Sequence, residues 1–350
     1  VDVAFPTTIV YASPTRVVNC IKQYEELVVA LKAFGAPPTI QGPQGRVTLK
    51  SGMMQYYNHV ITYPQYPYNT IDALIYRNNA EYVSGLLAQA IVLDLGVGGA
   101  TGAIKTASVL ERILSAGKPS PLGLVLVDGL EGAAQEGKNA IKNAPLLSSD
   151  IKVAHGDLSE SATWKEINRK INEIKNRNPG DGLRGTAYYN LVALIQSPTV
   201  NAFSDEEIRG LFNNQRNLAA DNNTLFLAID TTSDLDTLRG AYDNPPTKQF
   251  VMSAIVQHCW GNKIRINPLA AEVGVDIVQE QDWVRITHFV TDKENNVRYK
   301  LAGLRKFSEE YITAFMKQNS IELFNTLRAE SPEFPQLRYG VYVCNTGPKI

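Results

Sequence analysis

From about residue 71 onward, short apolar runs that stop at an acid or a glycine alternate with amphipathic segments, and few folds accommodate that rhythm. IDALIYRNNAEYVSGLLAQ has helical spacing and is followed by AIVLDLG, a continuous apolar run of strand length. The pattern repeats: TASVLERILSAG then LGLVLVDG ending at Asp128, GAAQEGKNAIKN then IKVAHGDL carrying Asp157, WKEINRKINEIKN then GTAYYNLVALI, and DEEIRGLFNNQRNLAA then TLFLAIDTT. Strands apolar along their whole length are buried on both faces, and parallel neighbours need a crossover helix between them. The expected class is therefore α/β, a mostly parallel sheet covered by helices.

The flanks read differently. Residues 19–34 place Ile21, Leu27, Val28, Leu31 and Phe34 at helical spacing before Gly35 and two prolines, predicting an N-terminal helix. From Pro37 to Thr70 the chain is dense in Gly, Pro and Tyr with no sustained period, which predicts an aromatic loop held by a scaffold. The block 233–279 reads as a helical or mixed lid, 283–307 as two strands extending the edge of the sheet, about 308–325 as a helix, and RYGVYVC as a last strand. The expected division is a smaller substrate-binding lid of residues 1–70 plus 233–283, beside a core of residues 71–232 plus 284–350.

With 34 basic and 35 acidic residues in 350, the charge balance gives no support to nucleic acid or an anionic membrane as partner. A small-molecule partner is expected. Cys20, Cys259 and Cys344 are odd in number and far apart, without the paired spacing of a zinc site, so a reducing compartment and no metal are expected. The stretch VDVAFPTTIVYA has neither a basic leader nor a clear cleavage site, and a cytoplasmic location is the expectation.

The first strand opens into DLGVGGATG, in the position where α/β sheets bind ligands. It lacks the Gly-Lys-Ser/Thr ending of a phosphate loop and matches a dinucleotide fingerprint irregularly. Asp128, ending the next strand, suits two ribose hydroxyls, and Asp157 suits an adenine amine. Alternatively the acids cap helices and the glycines only turn the chain. Glycine loop, acid and Gly-Asp after three successive strands fit an adenosine-containing cofactor, with S-adenosylmethionine favoured over a dinucleotide.

The segment IDTTSDLDTLRGAYDNPPTKQF sharpens this, because it resembles the histidine-specific, S-adenosylmethionine-dependent methyltransferase family, which includes ergothioneine-pathway histidine betaine synthases and fungal N-methyltransferases of prenylated tryptophan. The resemblance is divergent. It runs over 52–72, 94–106, Asp128, His155–Leu158, 194–203, 228–244 and 284–308. It implies a Rossmann-like class I methyltransferase sheet with a smaller lid, and S-adenosyl-L-methionine as cofactor. On that resemblance Asp94, Gly96, Gly98 and Lys105 form the cofactor loop, Asp128 holds the ribose and Asp157 lies by adenine. Tyr66, with Tyr56 and Tyr63, faces the substrate, Asn201 positions it near the cofactor, and Tyr242-Asp243 shapes the domain junction. Asn69 stands where the family often has Arg, the cofactor loop is about two residues longer, and Gln281, Asp282, Trp283, Val284 and Arg285 replace the histidine-recognising segment. The implied acceptor is then the amine of an amino acid or a derived metabolite.

Trp283 has two readings, packing on an aromatic substrate or supporting its strand. His59 reads equally as a substrate contact or a buried imidazole, whereas His155, His258 and His288 read as structural. Methyl transfer needs an aligned acceptor rather than a metal, so Tyr66 and Asn201 are expected to position and not to act as obligatory bases. Transfer to oxygen or another heteroatom, and a noncatalytic adenosine-ligand binding protein on the same scaffold, are the alternatives.

Overall fold

Every apolar run of the alternation becomes a strand in the computed structural model, which describes residues 2–4, 60, 63–115, 117–129, 132–142, 150–158, 160–177, 189–195, 198–218, 220, 222–252, 270–294, 296–300 and 304–346. The predicted helix at 19–34, Tyr56, His59 and His258 lie outside the described residues. In chain order the elements are β1 (Asp2–Ala4), α1 (Tyr68–Asn78), α2 (Ala80–Leu87), β2 (Ile91–Leu95), α3 (Gly99–Ser115), β3 (Gly123–Asp128), α4 (Ala133–Ile141), β4 (Asp150–His155) and α5 (Ser161–Arg177). There follow β5 (Asn190–Ile195), a 3-10 turn (Pro198–Ala202), α6 (Asp205–Arg216), β6 (Asn222–Asp230), α7 (Leu235–Tyr242), β7 (Ala271–Gln279), β8 (Trp283–Asp292), β9 (Val297–Lys300), β10 (Leu304–Phe307), α8 (Glu309–Gln318), β11 (Glu322–Arg328) and β12 (Tyr339–Asn345).

These divide into two units, residues 1–69 with 232–307 and residues 70–231 with 308–350. The second unit holds a seven-stranded sheet in the order β11-β12-β6-β5-β2-β3-β4. The pairs β4-β3-β2-β5-β6 are parallel, and β12 joins β6 antiparallel and carries β11. This is a Rossmann-like, doubly wound sheet. Successive strands step outward from β2 to β4 on one side, and β5 and β6 build the other, so the strand order reverses between β2 and β5. Residues of β2 and β3 are buried throughout, as the continuous apolar runs require, and each large apolar side chain removed from water contributes about 1.5–3 kcal/mol.

The covering helices follow their patterns. In α5 the buried residues Trp164, Ile167, Ile171 and Ile174 recur at three- and four-residue steps. Ser204 and Glu207 form a reciprocal capping box at the start of α6. Buried Arg216 at the end of α6 donates from Nε to Thr346 O at 2.5 Å and from Nη2 to Asn319 O at 3.0 Å, fastening the carboxyl-terminal elements to this sheet.

The first unit has its own five-stranded sheet, with β1 parallel to β9 and antiparallel pairs β9-β8, β8-β10 and β7-β8. The expectation that 283–307 extends the edge of the main sheet is therefore corrected: β8 is saturated by β7 along its length and by β9 and β10 in turn along the other edge. Those strands cluster with the first unit, and residues 308–350 with the second. The predicted helix near 308–325 also ends early. Asn319 caps α8 through Nδ2 to Phe315 O at 2.7 Å, Ser320 takes a left-handed φ of 56°, and the following ELFNTLR pairs with β12 as an edge strand.

One turn fixes the geometry at the carboxyl end of β2. Gly96, Gly98 and Gly99 take φ of 81°, 65° and 78°, a region closed to most side chains, and Gly96 N and Val97 N both donate to Val127 O. A Cβ on Gly102 would stand 1.6 Å from Val97 O, so the first turn of α3 closes on the loop only with glycine there. Gly102→Ala is expected to destabilise by on the order of 3 kcal/mol or prevent folding, lowering the thermal midpoint by several degrees in circular dichroism. An unchanged midpoint would contradict this turn.

Candidate functional site

The site is built on two carboxylates at the ends of adjacent parallel strands. Asp94, fourth residue of β2, is 1% exposed. Thr106 Oγ1, from α3, donates to its Oδ2 at 2.5 Å, and its buried Oδ1 makes no hydrogen bond. Burial pushes the Asp94 carboxyl up to about 6, against the Thr106 hydrogen bond and the Lys105 charge. Asp128, last residue of β3, accepts from Gly98 N at 2.7 Å on Oδ2. Burial drives it up to about 7; the Gly98 hydrogen bond opposes that shift and the neighbouring Asp94 charge adds to it.

A second layer surrounds them in the same unit. Asp72, fully buried on α1, receives Lys105 Nζ on Oδ2 at 3.0 Å and the Tyr339 hydroxyl, from β12, on Oδ1. Tyr76, one turn further along α1, has a buried hydroxyl with no hydrogen-bond partner, and burial, Asp72 and Asp94 together hold its phenol well above its usual value. Burial and Asp72 raise Tyr339 likewise, with Asp230 contributing. Sequence reading missed Asp72, Tyr76 and Tyr339. The available signal was the acid in IDALIY, which shares the buried stripe of Ile71, Ile75 and Tyr76.

The expected cofactor residues Asp94, Gly96, Gly98 and Asp128 come together at this strand end. Lys105, expected in the same loop, forms an ion pair with Asp72 at 3.0 Å. Asp157 is half-buried just beyond β4, whose preceding residue Gly156 donates its N–H to Asp128 O at 3.0 Å. Asn201, fully buried on the 3-10 turn, donates through Nδ2 to Asp230 O at 2.9 Å and accepts Asp230 N on Oδ1 at 3.0 Å. That reciprocal pair brackets the end of β6, so the role Asn201 shows is positioning of backbone.

The remaining candidates lie in the first unit. Tyr63 and Tyr66 are half-buried, and the Tyr66 ring meets Tyr68 edge-on at 4.9 Å and Tyr242 at 6.4 Å. Trp283 Nε1 donates to Glu280 Oε2 at 2.6 Å, and Glu280 also receives Arg285 Nε at 2.6 Å; of the two readings of Trp283, this geometry is that of strand support at the β7–β8 turn. Asp282 is half-buried in that turn. His288 is a core histidine: a ring nitrogen meets Tyr242 O at 3.1 Å, and burial lowers it to about 4. Cys344, in the second unit, is buried with its thiol raised to about 12, an inert core position.

A cavity of about 460 Å³ between α1 and α3 is lined by Leu74, Tyr76, Arg77, Ile104 and Lys105 among others. Asp94 and Asp128 do not line it, so the carboxylates and not this cavity define the site. Among the described residues no cluster of His, Cys, Asp and Glu is arranged to hold a metal, and no helix is long and apolar enough to cross a membrane.

No protein-family model and no curated protein matches the chain. Solved structures similar to it include a Burkholderia thailandensis 1,6-didemethyltoxoflavin-N1-methyltransferase with 1,6-didemethyltoxoflavin and S-adenosylhomocysteine bound, at 12% identity over 87% of this chain and 90% of that one, TM-score 0.43. A magnesium protoporphyrin IX methyltransferase from Synechocystis PCC 6803 shares 11% over 85% and 95%, TM-score 0.38, and a glycopeptide N-methyltransferase 11% over 77% and 85%, TM-score 0.36. At such scores the description of the fold rests on this chain's own strand order.

The raised carboxyls fix a pH dependence. Groups whose folded pKa lies above the unfolded value near 3.8 bind more protons in the folded state, so their contribution to stability falls as pH rises from about 4 through about 7. Asp94→Asn and Asp128→Asn are expected to flatten that decline, gaining stability over wild type at pH 7.5 but not at pH 4, as read from urea midpoints. Parallel pH profiles would refute the burial of these charges.

Proposed function

We propose that this chain is an S-adenosyl-L-methionine-dependent methyltransferase acting on a small molecule, with the amine of an amino acid or an amino-acid derivative as acceptor. The observation that carries the reading is the open, buried Oδ1 of Asp94 at the point where the strand order reverses. A buried carboxylate oxygen without a partner costs roughly 1–3 kcal/mol or more, and a ligand that donates to it recovers that cost. The same carboxylate argues against a dinucleotide. It would repel a pyrophosphate at this turn, and Gly98 N–H, the donor a phosphate would take, is already bonded to Asp128.

The residues present fit the cofactor. Asp94 suits its cationic end, Asp128 at the end of β3 suits ribose hydroxyls, and the left-handed glycines let the backbone approach it closely. Asp157, half-buried beyond β4, is the proposed adenine neighbour. When bound, the cofactor supplies an electrophilic methyl group. An amine attacks only in its neutral form, so the chain's task is to bind that form, align its lone pair and exclude water. In this reading Tyr66 and Tyr63, half-buried, are the acceptor-positioning side chains, and Asn201 acts through the backbone of Asp230.

Calorimetry with S-adenosylmethionine and S-adenosylhomocysteine tests the reading. Saturable binding is expected, weakened at least about tenfold by Asp128→Ala, which removes charge-assisted hydrogen bonds. Mass spectrometry of an amino-acid acceptor screen should then show products 14 mass units heavier. Absence of binding by folded wild type rules out the cofactor; binding without any methylated product would favour a noncatalytic adenosine-ligand protein.

A further inference from the structure

Several buried side-chain atoms of the second unit make no hydrogen bond among the described residues, and two of them, Asp94 Oδ1 and Tyr76 Oη, lie in one neighbourhood. Tyr76 is 3% exposed, and the charges of both Asp94 and Asp72 act on its phenol. Native interiors rarely leave such atoms orphaned, and two together usually mean a missing polar occupant. The character of the surroundings selects that occupant. Asp72, Asp94, Asp128 and Asp230 are all buried in this unit, and Lys105 answers Asp72. The environment therefore favours a cation. An anion would meet Asp94 and Asp72 at close range, whereas a positively charged group with several N–H donors is drawn by both carboxylates.

We propose that Tyr76 is a ligand-contacting residue of the cofactor site, its oxygen sharing with Asp94 Oδ1 the primary ammonium group of the cofactor's amino-acid end. A primary ammonium has three N–H donors, so one goes to Asp94 Oδ1 and one to Tyr76 Oη without displacing Thr106 from Oδ2. The phenol stays protonated beside the two acids and serves as an acceptor through its lone pair. Lys105 and Tyr339 hold Asp72, which fixes the α1 turn that carries Tyr76. Nothing in the sequence patterning singled out Tyr76, because at its spacing it reads as one more apolar position of a helix.

The inference rests on the S-adenosylmethionine reading, and one experiment separates the two. Wild type and Tyr76→Phe are titrated calorimetrically with S-adenosylhomocysteine and with its deaminated analogue, the amine replaced by hydrogen. Loss of the hydroxyl is expected to weaken S-adenosylhomocysteine about tenfold while leaving the deaminated analogue within twofold of wild type. Thermal unfolding of the ligand-free variant should match or exceed wild type, since a hydroxyl with no partner costs nothing to remove. Equal S-adenosylhomocysteine affinity in wild type and variant overturns the role of Tyr76 and leaves the cofactor reading standing. Equal weakening of both ligands, or a variant that does not fold, assigns the hydroxyl a structural task and overturns it as well. Wild type that binds neither ligand overturns the cofactor reading, and the role of Tyr76 with it.

Discussion

Burying a carboxylate costs several kcal/mol, and the second unit buries Asp94 and Asp128 side by side on adjacent strands. Much of the local architecture serves to make that tolerable. Thr106 comes from α3 to one oxygen of Asp94, and Gly98 N–H is turned toward Asp128 by a backbone that only glycine adopts with ease. The Asp72–Lys105 ion pair places a cation near Asp94 while keeping that cation occupied. A scaffold selected for stability alone would replace these acids with apolar residues, and buried, pKa-shifted carboxyls of this kind are what the proposed ligand would recompense.

The same arrangement decides what kind of ligand. Dinucleotide and phosphate sites use backbone N–H groups at a helix N-terminus as their main attraction, with no carboxylate on the strand that feeds the turn. Here the strand ends in an acid and the turn's own N–H bonds another acid, which reverses the local field. A glycine-rich turn can thus be read in two opposite electrostatic senses, and the residue just before it distinguishes them.

That distinction was visible in the sequence, because DLGVGGATG shows the acid and the glycines together and the two following strands end in Asp128 and Gly156-Asp157. The parallel order of the sheet followed from buried apolar runs separated by helices. What sequence could not show was non-local pairing. Whether the strands at 283–307 join one sheet or build another depends on which edge is saturated, and whether ELFNTLR continues a helix depends on a partner in β12. The partner of Lys105 is non-local in the same way: its spacing suggests a loop contact, and the buried Asp72 with which it pairs lies 33 residues upstream. Asp72 itself was legible only as an anomaly, a charge on an apolar stripe.

The aromatic residues of the first unit obey a related logic. Lys306 is 1% exposed, donates from Nζ to Tyr242 Oη at 2.6 Å, and lies over the rings of Tyr68 and Tyr242 at 4.8 and 4.7 Å. Tyrosine faces stabilise such a cation, and the cation in turn fixes the two rings, with His288 bound to the backbone of Tyr242 completing the packing. Tyr68 and Tyr242 are therefore committed to the core of this unit. Tyr66 differs, since it stays half-buried while its ring meets Tyr68 and Tyr242 in T-shaped geometry. A ring packed on one side and partly exposed on the other is held in place yet open to contact, a combination that the buried Tyr68 and Tyr242 lack.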